Sequence, residues 1–191
     1  MRSYLKHPKR AQGGTTLIEV LVSIVVLSIG LLGSAGLMVN SMRNLNEVGN
    51  SVSASSYARE LAERMMANRQ IALNPTATNT YIFDTTSGTW PSAGTNCNTN
   101  FCTDAQRATW DVYNWGQRVR SAGSIPGVKV KTCYDSLSAQ STTWACTASA
   151  NSALVVKIAW ASRDATGAVD NVSAVPAKAN AVFVVTSGAA K

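Results

Sequence analysis

The chain has 191 residues, enough for one modest domain plus an appendage and too few for two full cores. Its 17 Lys and Arg against 10 Asp and Glu give a formal charge of +7. Arg2, Lys6, Lys9 and Arg10 stand in the first fourteen positions with no acid among them, and without those four the balance falls to +3. So small a remainder gives little support to nucleic-acid binding, and the single histidine, His7, lies in the same basic stretch.

Residues 1–14 read as a basic leader that closes on Gly13-Gly14. From Thr15 to Val39 there follow 25 residues with one charge, Glu19, and about 20 suffice to cross a bilayer as a helix. The basic residues before this run outnumber Arg43 after it, which places the N-terminus in the cytoplasm and the bulk of the chain beyond the membrane. An ordinary secretory signal has its small residues after the apolar core, but here they come first. Cleavage beside them would remove the leader and keep the apolar segment.

A carboxylate near the bilayer centre costs about 2.5–3.5 kcal/mol on insertion scales, and less toward an edge. Glu19 lies near an edge, where a positive partner would offset the cost. The plainer account is a first-turn acid favoured by its own helix dipole. Gly30, Gly33 and Gly36 punctuate the same run, each costing about 1 kcal/mol against Ala in a helix interior. They either permit close helix packing, as Gly30 and Ser34 would one turn apart, or mark where the helix loosens.

Beyond Val39 the pattern turns amphipathic. Val48, Val52, Ala58, Ala62 and Met65 recur at mostly three- and four-residue steps with Ser55 filling the gap, which predicts that this stripe faces the head. Glu60 and Arg64 form a favourable i,i+4 pair on the other side. No proline intervenes before Asn74-Pro75, so one helix is expected from about residue 16 to 72, on the order of 85 Å long. Its two halves, 15–39 and 40–73, would serve the membrane or a filament core and the head respectively.

Residues 74–191 form the head. A polar stretch reads as a long loop, with a short strand at Tyr81–Asp84. Thr103-Asp104-Ala105-Gln106 has the capping-box pattern, and Ala105, Ala108, Val112, Trp115 and Val119 mark the inner face of a second helix ending near Gly123. After "SIPG" the period drops to two, with Val128, Val130 and Thr132 alternating with Lys129 and Lys131. "ALVVKIAWAS" and "NAVFVVTS" are two more strands. The expected fold is therefore α+β, a long helix whose second half packs on a small antiparallel sheet.

Cys97, Cys102, Cys133 and Cys146 all follow the apolar run, and an even number in an exported segment suggests two disulfides. Three pairings are open. Cys97–Cys102 and Cys133–Cys146 are favoured because they close small loops. A zinc site is disfavoured, since the head has no CxxC pair and no histidine. No phosphate loop or histidine-based nucleophile is present, so no enzyme, metal or cofactor is expected. Asp104 and Asp111 share a helix face, but a helix terminus and a polar contact explain them better than acid–base catalysis. Trp115 and Trp160 occupy core-type positions, whereas Trp90 and Trp144 lie in loops and are candidates for partner contact.

Basic leader, glycine, then "TTLIEVLV" resembles the type IV prepilin family. That resemblance implies cleavage by a prepilin peptidase between Gly14 and Thr15, methylation of the new amine on Thr15, and a role for Glu19 in subunit register and assembly. Thr15 departs from the phenylalanine commonest there. "VLSIGLLG", "SYARELAERMMANR", "TDAQRATWDVYNW", "IPG" and the Cys97…Cys102 pair are similar to minor pilins of that family. They imply a filament component that acts with other minor pilins, the major pilin and an inner-membrane assembly platform, and with a tip adhesin. Its path would run from a single-pass inner-membrane precursor with a periplasmic head to the extracellular pilus tip. The alternatives are a pseudopilin of a type II secretion system, or a signal-anchored periplasmic module that binds DNA or glycan. Twitching, adhesion and DNA uptake are all open as physiological outputs.

Overall fold

The computed structural model describes residues 14, 16–74, 79–121, 123, 125–136, 143–147, 152–163, 169–170, 176 and 179–185. Thr15 and the basic leader lie outside them. The chain divides into two compact units, one up to Leu45 and one from Asn46 onward.

The first unit is helical. Helix α1 (Leu17–Ala67) opens here, and each of its residues in this unit is solvent-exposed. Two serines on the apolar run bond back to the helix. Ser23 Oγ donates to the Glu19 carbonyl at 2.7 Å, and Ser28 Oγ to that of Ile24 at 2.7 Å.

In the second unit, α1 buries Ala54, Ala58, Leu61 and Met65, a stripe with 4-3-4 spacing. This corrects the stripe expected from sequence: Val48 and Val52 are exposed, and Ala62 is half-buried. At 100° per residue, Val52 lies roughly opposite Ala54 on the helix. The head covers the side of the helix that carries Ala54, Ala58, Leu61 and Met65, and the valines are left on the far side.

Nor does the helix run to residue 72. Asn68, at φ −117° and ψ 53°, breaks it after Ala67, and a single turn α2 (Arg69–Ala72) follows. Asn68 is buried and its side-chain amide donates to the Asp104 carbonyl at 2.7 Å, a partner brought in by the next helix. That helix, α3 (Asp104–Ser121), buries Ala108, Val112, Trp115, Gly116 and Val119. Ala105, expected on the same face, is exposed in the first turn. The capping box forms as the sequence predicts, with Gln106 N–H donating to Thr103 Oγ1 at 3.3 Å and Thr103 N–H to Gln106 Oε1 at 2.9 Å.

The sheet has antiparallel order β1 (Lys129–Asp135), β2 (Ala153–Ala159), β5 (Ala181–Val184), with Lys129 opposite Ala159 and Val155 opposite Val184. A two-residue ribbon joins β3 (Ser162–Arg163) to β4 (Val169–Asp170). Strand β2 lies in the centre, and from Leu154 onward every residue is buried, so both of its faces are covered. Leu154, Val156 and Ile158 face the main core with Trp115, Trp160 and the α1 stripe. On the other face, Ala159 packs with Trp144 and Ala179.

The strand expected at Tyr81–Asp84 shrinks to one bridge, Asp84 to Lys131. The segment does run along the outer edge of β1, with Thr132 N–H donating to the Phe83 carbonyl at 2.9 Å. Two other rungs end on side-chain hydroxyls, however: Phe83 N–H on Thr132 Oγ1 and Val130 N–H on Thr85 Oγ1. Threonine oxygens replace main-chain carbonyls there, so no ladder forms.

Candidate functional site

The residues that the sequence marks for function lie at the start of α1. Gly14 is exposed, and Thr15, its partner in the expected cleavage, lies outside the described residues. Glu19 is in the first helical turn, its N–H donating to the Thr16 carbonyl at 3.0 Å. No cation pairs with it among the described residues. Around it Leu17 is 91% exposed and Leu21 62%, and the apolar window has a mean hydropathy of 2.4 with none of it buried. So much contiguous apolar surface is unstable in water and calls for lipid or other protein. A Cβ added at Gly30, Gly33 or Gly36 would meet nothing within 4 Å, so any packing reason for them lies outside the described residues.

The head fixes α1 to the rest through polar contacts that the sequence reading only partly anticipated. Arg64 pairs with Glu60 at 3.1 Å and with Asp111 on α3 at 3.1 Å, and Glu60 also pairs with Arg118. Tyr81 Oη donates to Asp111 Oδ2 at 3.1 Å. Burial first, and then the Asp111 carboxylate, push the Tyr81 phenol well above its ordinary range, outweighing Asn68 and Arg64. Burial likewise raises Tyr134, whose hydroxyl donates to the Ala72 carbonyl at 2.6 Å. Burial would also raise Asp84, but hydrogen bonds from Thr86 and the Lys131 ammonium outweigh it and hold that carboxyl below its usual range. Asp111 thus serves as a tie between helices, and Asp104 lies exposed in the first turn of α3.

Two of the tryptophans bond across the core. The Trp115 indole N–H donates to the Tyr57 carbonyl at 2.9 Å, and that of Trp160 to Glu47 at 3.1 Å. Trp144, expected at a contact surface, is only 4% exposed and its N–H has no partner among the described residues. Its ring instead turns inward against Ala159 and Ala179. Trp90 is half-buried beside Gly116 and Arg120.

Cys97 and Cys102 lie at disulfide distance, with Cα atoms 5.5 Å apart, and so do Cys133 and Cys146, at 6.4 Å. Beside the second pair is a feature the sequence reading missed. Lys157 Nζ, 0% exposed, donates to Asp135 at 2.5 Å and to the Thr143 and Ala145 carbonyls at 2.7 and 2.8 Å. A lysine in the middle of the apolar run "ALVVKIAW" was the available signal.

Residues 9–35 match a family model described as the prokaryotic N-terminal methylation motif, and residues 36–113 match one described as type IV pilin Tt1218 (Tt1218-like). No curated protein and no solved structure matches the chain to significance. The two matched stretches adjoin, so residues 9–113 are similar to a type IV pilin with an N-terminal methylation motif. Neither model describes a catalytic family. The motif and the exposed apolar helix fit a membrane-anchored prepilin.

Proposed function

We propose that this pilin-like chain is a minor pilin of a type IV pilus, of the PilV type, which primes filament assembly with other minor pilins and remains near the tip. It is made as an inner-membrane precursor with its head in the periplasm, cut between Gly14 and Thr15, and methylated on Thr15. The observation that carries the reading is the exposed apolar start of α1, with Glu19 as its single charge, inside the matched methylation motif.

Its mechanism is assembly. In lipid, Glu19 lacks a counter-charge, and extraction into a bundle of like helices supplies one in the new N-terminal amine of a neighbouring subunit. A single register satisfies that pair, so the carboxylate favours correct insertion over random lateral packing. The exposed Val48 and Val52 lie on the side of α1 away from the head and offer further apolar surface for contact. The two cystine loops and the helix-closing "SYARELAERMMANR" favour a pilus over a secretion pseudopilin.

Intact mass of the protein in sheared surface filaments, and separately in membranes, tests this. The expected mass is that of residues 15–191 plus one methyl group and minus four hydrogens, found in the filament fraction. An uncleaved chain confined to membranes overturns the reading. Glu19→Ala should be cleaved yet be missing from filaments, and normal incorporation would refute the role given to Glu19.

A further inference from the structure

Away from the first unit, residues 79–92 with Thr109 and Val112 of α3 line an open groove of about 510 Å³. Small-ligand sites commonly measure about 300–1,000 Å³. Its chemistry is unlike the charged α1–α3 seam. No Lys or Arg lines it, and the one charged residue, Asp84, already accepts from Thr86 N–H at 2.9 Å and pairs with Lys131 at 3.2 Å. The cations beside it are engaged, Lys131 with Asp84 and Arg120 over the Trp90 ring, which disfavours phosphates, nucleic acid and acidic peptides.

What remains free is neutral hydrogen-bonding capacity beside an aromatic. The Trp90 indole N–H and the hydroxyls of Thr80 and Ser92 have no hydrogen-bond partner among the described residues, and all three line the groove. Trp90 is also held in place. A Cβ at position 116 would stand 3.2 Å from its ring, and the Arg120 guanidinium lies 5.8 Å from the ring centroid. Restraint of this kind lowers the entropy lost on binding. A ring for aliphatic C–H groups, with uncharged donors and acceptors around it, matches a neutral sugar, whose ring carbons are apolar and whose rim is hydroxyl.

We propose that this groove binds a neutral oligosaccharide, with Trp90, Thr80 and Ser92 as its polar contacts. The proposal does not depend on the pilin reading.

The test screens the full-length chain, held in a zwitterionic detergent free of sugar headgroups, against an array of neutral, sialylated and sulfated oligosaccharides. Hits are then titrated by ligand-observed NMR. Neutral sugars should bind saturably, equally at about 50 and about 500 mM salt, and their acidic counterparts more weakly. Trp90→Phe keeps the apolar body, removes the N–H, and should weaken binding on the order of fivefold or more. Thr80→Val with Ser92→Ala should do the same without touching the Gly116 contact, and decides the matter if the first variant unfolds. Trp110→Phe, outside the groove, should change nothing. Absence of binding to every neutral sugar, capture of acidic sugars only, or peptide binding in their place would overturn the proposal. So would undiminished affinity in the Thr80/Ser92 variant.

Discussion

Replacing Lys157 by Met would test what holds the cystine loop against the sheet. In the native head its ammonium has three partners and no exposure, and Asp135 across β1 is 2% exposed. Lys157→Met leaves a buried carboxylate without that cation and two carbonyls without their donor. Removing one member of a buried pair costs about 3–5 kcal/mol, a large part of the roughly 5–15 kcal/mol that stabilises a typical domain. With a urea m-value of about 2 kcal/mol/M, the unfolding midpoint should fall by about 2 M. All five tryptophans lie in the second unit, so their fluorescence in detergent reports that unit's unfolding alone. Adding Asp135→Leu removes the carboxylate that has lost its cation and should recover part of the loss, leaving the Thr143 and Ala145 carbonyls and the Thr147 N–H without those partners at about 1–3 kcal/mol each. A midpoint shift under about 0.5 M for Lys157→Met, or a double variant weaker than the single, would refute the reasoning.

Other expectations follow from the packing. Ala58→Leu overfills the seam between α1 and the head and should cost about 1–3 kcal/mol, while Val52→Leu on the far side should leave the urea midpoint unchanged. Thr103→Ala removes a cap on α3 and should cost about 0.5–2 kcal/mol, seen in the same titration. In alkali, the unfolded chain releases its tyrosine protons near pH 10 while folded Tyr81 and Tyr134 hold theirs. Their contribution is therefore complete below about pH 10 and is lost as pH rises beyond it. The urea midpoint should fall steeply from about pH 10 upward, and less steeply in Tyr81→Phe.

Some of this protein was settled by neighbours along the chain. The apolar run after a basic leader announces itself by composition, because lipid or a filament core tolerates such a surface whatever the head does. The Thr103–Gln106 box closes within one turn, and Val130 and Thr132 face inward because pleating alone alternates side chains. Glu19 stood out for the same reason, as a charge where the medium penalises one.

Contacts remote in sequence decided the rest. Hydrophobicity favoured Val48 and Val52 as the packed stripe, but the head covers the opposite side of α1, so Ala54, Ala58, Leu61 and Met65 are buried instead. The helix breaks at Asn68 because a carbonyl on α3, 36 positions away, captures its side chain. Trp144 turned inward, and Lys157 found its carboxylate across two strands. No local pattern encodes these, because each is fixed by what the rest of the chain places opposite it.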